Sequence, residues 1–330
     1  MTLRVLFIGG TGQISFDCVH ESVRAGYATF VFNRGNSNDG LPPQTHFLTG
    51  DIENEGAYGA LGDERFDVVC QFRAFTPQDI ERDLAVFGGQ CGQYVFISSA
   101  SAYQKPQRRY LITEDVPLEN PYWEYSRLKA AAEDVLKAQS SLRYTIVRPS
   151  HTVRTAMVTA LSERQLAAFR MLEGRPIIVP GDGNGLWTVT RSQDFAVPFA
   201  RLFGNDRAYG EAYHLTRDTA FLWNEIYRAT GRALGVEPDL VHVPSDTLIK
   251  YRPDWRGPLF GDKMASVVFD NSKIRSVVGD FGCARELDVV LAGPLRFFEN
   301  HRAAMEKTRD RELDAVFDRI AADQRALGSL

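Results

Sequence analysis

Tyr125 and Lys129 stand four residues apart in "ENPYWEYSRLKAAAEDVLKAQ", residues 119–139. On a helix that spacing puts both side chains on one face. A phenol with an ordinary pKa of about 10 is a poor base at neutral pH, and a neighbouring ammonium favours the phenolate, which can accept a proton. Such a couple can move a proton to or from a hydroxyl or carbonyl oxygen. The plain alternative is two amphipathic side chains on a wet surface, and only the company they keep decides between the two.

A second signal lies at the start of the chain. "VLFIGGTGQIS" runs from an apolar stretch through Gly9, Gly10 and Gly12 into a helical pattern opened by Gln13 and Ile14, with Ser15 where a third glycine could stand. A turn of this kind lets the backbone approach a pyrophosphate, whose charge then lies against the positive end of the helix. The next apolar run ends "VFNRG". A carboxylate there would accept hydrogen bonds from the ribose of NAD, whereas Asn33 and Arg34 leave room for a 2′-phosphate that the arginine can pair with. NADP is therefore favoured over NAD. Asp51 and Ile52 in "TGDI" follow the third run and are placed to meet the adenine.

The elements that must hold these groups are legible as alternating short apolar runs and helical patterns, the mark of βαβ units and a parallel sheet. Strands are expected at 3–9, 28–33, 45–50, 66–72, 93–99 and 144–150, and helices at 13–25, 77–87 and 121–139. In the last helix Asn120 suits the N-cap, Pro121 the first turn and Lys137 the C-terminal end. After about residue 150 the alternation loosens. The stretches "EGRPIIVPGDGNGLW" and "YRPDWRGPLFGDK" look like loops around a smaller lobe, and the tail from Pro294 to about Leu327 is charged and helical.

Composition narrows the function. The 38 basic and 42 acidic residues are scattered along all 330 positions, so no basic stripe suggests nucleic-acid binding. No apolar run approaches the ~20 residues that spanning a bilayer needs. The cysteines Cys18, Cys70, Cys91 and Cys283 have neither CxxC spacing nor a histidine cluster beside them, which fits reduced thiols and no metal site. A cytoplasmic protein without a membrane partner is the expectation.

The order of a GGTG turn, the serines of "FISSASAY" (96–103) after the fifth strand, and a YxxxK helix resembles the short-chain dehydrogenase/reductase superfamily, in its extended branch of sugar epimerases and dehydratases. The resemblance covers nearly the whole chain. It implies an α/β fold with a Rossmann-type doubly wound parallel sheet over 1–150, to which later segments return, and a smaller C-terminal substrate-binding lobe mainly within 151–330. It implies that Tyr125 is the general acid/base, that Lys129 binds the nicotinamide ribose and lowers the tyrosine pKa, and that Ser99 hydrogen-bonds the substrate oxygen. Pro149 then lies near the nicotinamide, and His151, Trp187, Arg191 and Lys263 are the candidates for touching substrate. Many relatives dimerise through two helices of the large domain, which implies a homodimer using the Tyr125 helix.

Departures from the family pattern limit the reaction. Ala100 and Ser101 stand where sugar 4,6-dehydratases carry an Asp–Glu pair. Trp187 occupies a place where an arginine often holds a substrate diphosphate, and "PLFGDK" lacks a second such arginine, so a substrate smaller than a sugar nucleotide becomes plausible. Arg73 in "CQFRAFTP" replaces a small residue, and either turns outward or adds charge beside the nicotinamide. The leading expectation is an epimerase working through a transient ketone on a carbohydrate-type substrate. The alternatives are an NADP(H)-dependent reductase or dehydratase and, from another class, a binding module like the chloroplast stem-loop RNA-binding proteins, which share the fold and the "FNRG" turn.

Overall fold

The computed structural model describes residues 2–327 apart from 55, 62, 141 and 162. Seven parallel strands form the central sheet. They include β1 (Arg4–Ile8), β2 (Ala28–Asn33), β3 (His46–Thr49), β4 (Phe66–Gln71) and β5 (Cys91–Ile97). The short β6 (Leu111–Ile112) lies outside the sheet, β7 (Tyr144–Pro149) rejoins it, and Glu211–Leu215 completes it. Across the sheet the order runs Glu211–Leu215, β7, β5, β4, β1, β2, β3. The chain thus leaves β1 toward one edge and later returns to fill the other, which is the doubly wound arrangement expected from the sequence.

Alternation along the strands explains why both faces must be covered. In β1, Val5 and Phe7 point into one apolar layer with Val31, Val68, Cys70, Val95 and Phe199. Leu6 and Ile8 point into the other, with Phe32, Val69, Tyr94, Phe96 and Leu136. Full burial of such side chains stabilises by about 1.5–3 kcal/mol each. Helix α1 (Ser15–Arg24) covers the first face together with Ser192–Ala200, while α2 (Pro77–Phe87) and α3 (Glu124–Lys137) cover the second. Helix α2 starts with a capping box: the Thr76 hydroxyl accepts from the Asp79 amide, and the Asp79 carboxylate accepts from the Thr76 amide.

Three expectations need correction. Helix α3 begins at Glu124, with Trp123 before it, rather than at Pro121. Asn120 caps nothing there; its amide nitrogen donates to the carbonyls of Ser101 and Gly261, both at 2.7 Å. The stretch at 173–187 is not all loop, since Ile177–Pro180 pairs in parallel with Leu240–Val243. Residues 253–263 wind through short helical turns that end in a π-helical turn, Leu259–Lys263. The C-terminal segment forms two helices, Leu287–Lys307 and Arg311–Leu327. All four cysteines are free, Cys18 and Cys70 being buried. Among the described residues no helix is long and apolar enough to cross a membrane.

Helix α3 is braced from behind by a buried ion pair. Arg148 of β7 donates to both oxygens of Glu133 at 2.8 and 2.6 Å. Neither side chain reaches solvent appreciably, so removing one partner strands the other's charge in an apolar layer. Glu133→Ala is expected to lose about 3–5 kcal/mol of unfolding free energy, read from the midpoint of a urea melt.

Candidate active site

The turn after β1 is built for close approach. Gly9 sits at φ +92°. Gly10 presses against Val31 and Val19 so tightly that a Cβ would meet the valine methyls at 2.8 Å. A Cβ on Gly12 would meet only the Ser15 hydroxyl, at 3.4 Å, so that position otherwise opens outward. Ser15, which the sequence offers only as a small substitute for glycine, holds the turn together. Its hydroxyl accepts from the Gly12 amide at 2.9 Å and donates to the Gly9 carbonyl at 3.1 Å.

Two clefts open from this turn. One, at the ends of β2 and β3, is lined by Asn33, Arg34, Asn36, Ser37, Asp51, Ile52, Gly9, Thr11 and Arg73. Asn33 shapes its rim by accepting from the Gly35 amide and donating to Asn38, both at 2.7 Å. Arg34 is exposed and has no ion pair among the described residues. The second cleft follows the turn toward β5 and α3, past Gly12, Gln13 and Ile14 to Ser99, Tyr125, Lys129 and Pro149. Gln13 is engaged already: its side chain donates to the Thr155 hydroxyl at 2.6 Å and accepts from the Thr155 amide at 2.9 Å. A glycine cradle with an unpaired arginine at one end and the Tyr125–Lys129 pair at the other fits a bound dinucleotide.

Lys129 is almost fully buried, and its ammonium donates to the carbonyls of Ala74 (2.6 Å) and Ile97 (2.8 Å), just beyond β4 and at the end of β5. Phe75 and Phe96 flank it at 4.7 and 4.9 Å, and the Tyr125 ring lies 5.9 Å away. Burial pushes its pKa down to about 7, against the opposing pull of Asp79 and Glu133. Burial likewise raises the Tyr125 phenol above its ordinary value; the Ser99 hydroxyl opposes this and the charge of Asp262 adds to it. In this state the tyrosine is a protonated phenol, and the ammonium expected to lower its pKa is spent on two carbonyls. Ser99, Ser101 and Ser126 form a chain of hydroxyls with 2.8 Å steps.

A third cleft meets the second at Ser99, Tyr125, Pro149 and Ser150, and continues to His151, Trp187, Asp262 and Lys263. Trp187 is buried, stacked on Trp223 at 5.1 Å, and donates its indole N–H to His151 Nδ1 at 3.0 Å. That bond makes Nδ1 the acceptor and leaves Nε2 to carry the proton. Burial, aided by the Lys263 charge, pushes the His151 pKa down to about 3. Arg191 stands apart from this cleft: its guanidinium grips Asp194 at 2.9 and 2.5 Å. Asp262, which the sequence reading passed over, projects from the π-helical turn and makes no side-chain hydrogen bond or ion pair among the described residues. Burial raises its pKa, with Lys263 and the buried Lys105 opposing. A lone acid in a glycine-rich stretch carries little local signal, although π-helical turns often mark functional sites.

Residues 5–215 match the family described as the NAD dependent epimerase/dehydratase family. The chain belongs to that family. It is an NAD(P)-dependent enzyme of the short-chain dehydrogenase/reductase type. This epimerase/dehydratase-family chain is similar to 2′-dehydrokanamycin reductase of Streptomyces kanamyceticus, with 27% identity over 74% of this chain and 70% of that protein. It is also 26% identical to the chloroplast stem-loop binding protein of 41 kDa b of Arabidopsis thaliana, over 72% of this chain and 65% of that one. Among solved structures, UDP-glucuronic acid 4-epimerase from Bacillus cereus, in complex with UDP-glucuronic acid and NAD, superposes with a TM-score of 0.71. The match covers 90% of this chain and 99% of that one at 15% identity, a likeness of fold alone.

The neutral imidazole is open to test. With a folded pKa near 3 against about 6.5 in the unfolded chain, His151 contributes stability that is fully present above about pH 6.5 and lost as the pH falls toward 3. In nitrogen-15 spectra His151 is expected to stay uncharged at pH 5, with its proton on Nε2.

Proposed function

We propose that this enzyme interconverts a carbonyl and a secondary alcohol on a small carbohydrate-type substrate, with NADP(H) as the redox partner and Tyr125 as the proton-transferring group. The observation that carries the reading is that Tyr125 and Ser99 line both the cofactor cleft and the cleft beyond it, where a reacting carbon would face a nicotinamide. When bound, the nicotinamide supplies or takes the hydride. Ser99 holds the substrate oxygen, and Tyr125, held as a phenol, gives that oxygen its proton. Lys129 Nζ, 5.9 Å from the Tyr125 ring, places a positive charge near the phenolate that this transfer leaves. His151 Nε2–H and the Asp262 carboxyl hold hydroxyl groups on the opposite wall.

The unpaired Arg34 favours exchangeable NADPH and net reduction, as does the likeness to a reductase. Locking of Arg191 by Asp194 leaves Lys263 as the cation lining the substrate cleft, which favours a substrate without a diphosphate. Epimerisation through a ketone that turns before the hydride returns is the second reading. A cleft of about 260 Å³ beyond Tyr125 gives a sugar ring room to turn.

Denaturing release of cofactor from freshly purified protein separates the two. An empty protein that binds NADPH reversibly supports the reductase; retained, near-stoichiometric oxidised cofactor supports the epimerase, and failure to bind either cofactor sinks the enzyme mechanism proposed here. Tyr125→Phe is expected to lower turnover by about 10²–10⁴-fold while cofactor affinity stays within about twofold, measured by fluorescence titration.

A further inference from the structure

Arg73, just after β4, has a guanidinium without a committed partner. Its backbone is fixed, because its amide donates to the side-chain oxygen of the buried Gln71 at 2.6 Å. Its stem crosses directly over the glycine turn: a Cβ on Gly9 would come within 2.6 Å of Arg73 Cγ and 3.2 Å of Cδ. Gly9 is therefore required twice, for its left-handed backbone and for the passage of this side chain. The guanidinium itself is half exposed, 3.7 Å from Glu53 and 5.7 Å from the Phe75 ring. An exposed pair at that separation is weak and screened by salt.

The position of this loosely held cation is informative. The cleft at the ends of β2 and β3 and the cleft leading to Tyr125 share three lining residues, Gly9, Thr11 and Arg73. A dinucleotide that places one nucleoside in each cleft must carry its pyrophosphate across that junction. Gly9 and Thr11 bring no charge to it, and Arg73 brings one, on a side chain whose planar fork matches phosphate oxygens.

We propose that Arg73 is a clamp for the cofactor's pyrophosphate: on binding, its guanidinium exchanges Glu53 for the phosphate oxygens and closes over the glycine turn. The proposal rests on the dinucleotide reading above and adds a residue that acts on both NAD and NADP. It thereby assigns different work to the two arginines, Arg34 reading the 2′-phosphate and Arg73 the group common to both cofactors. Glu53 acts as the resting partner that the phosphate displaces.

Affinities of the cofactor-free full-length protein for NADP⁺ and NAD⁺, measured by calorimetry at low and high salt, test this assignment. Arg73→Ala is expected to weaken both cofactors by about tenfold or more, and Arg73→Lys to recover part of the loss. Arg34→Ala should weaken NADP⁺ alone, and Glu53→Gln should tighten both cofactors about twofold. Melting curves of the apo variants matching the unaltered protein exclude a folding defect. Unchanged affinity for both cofactors in Arg73→Ala would overturn the proposal, as would a loss confined to NADP⁺, which would put the guanidinium on the 2′-phosphate instead. If the unaltered protein bound neither cofactor, the dinucleotide reading itself would fall and the clamp with it.

Discussion

A buried ammonium must find acceptors, and the rest of the site follows from how Lys129 finds them. Its two carbonyl partners belong to Ala74, three residues past β4, and to Ile97, the last residue of β5. One side chain thus ties the first turns of α3 to the carboxyl ends of two neighbouring strands. Because Tyr125 is one turn earlier on the same helix and Ser99 two residues beyond Ile97, the same two bonds set the separation of phenol and hydroxyl. The cost of leaving such a charge unpaired is several kcal/mol, so the arrangement is rigidly specified.

Behind this contact a group of buried polar side chains is closed on itself. Asp83 of α2, fully withdrawn from water, accepts from the Tyr58 and Tyr94 hydroxyls at 2.6 and 2.5 Å and from Gln71. Gln71 in turn receives the Arg73 amide. That set leaves the Asp83 carboxylate nothing to offer a ligand, whereas Arg34 and the Asp262 carboxyl, without hydrogen-bond or ion-pair partners among the described residues, line the clefts. That division between satisfied frame and unsatisfied lining separates positioning residues from those available to ligands.

Much of the large sheet was readable because its strands are short, apolar and punctuated by glycine, and because the turn at Gly9 follows directly on the first of them. The start of α3 was misread for a definable reason. Asn120 and Pro121 have the residue types of a helix start, but the Asn120 amide serves a contact with Gly261, 141 residues away, that no local pattern announces. The strand Ile177–Pro180 was hidden by the glycines and prolines around it, and its partner, Leu240–Val243, lies far along the chain. Arg191 stood among the candidates for touching substrate, yet Asp194 lies three residues later, a spacing that pairs charges on a helix. Asp262 could not be singled out at all, since its place in the third cleft comes from the π-helical turn that carries it.

The Gln13 amide uses its oxygen and its nitrogen on residues 155 and 156, and so joins the glycine turn to the segment after Pro149. Two stretches that lie 142 residues apart along the chain are thereby fastened together beside the second cleft, which Gln13 also lines. Any parting of those two stretches must first break a few neutral hydrogen bonds, so the width of the cleft at Gln13 is set by the link between the two halves of the chain.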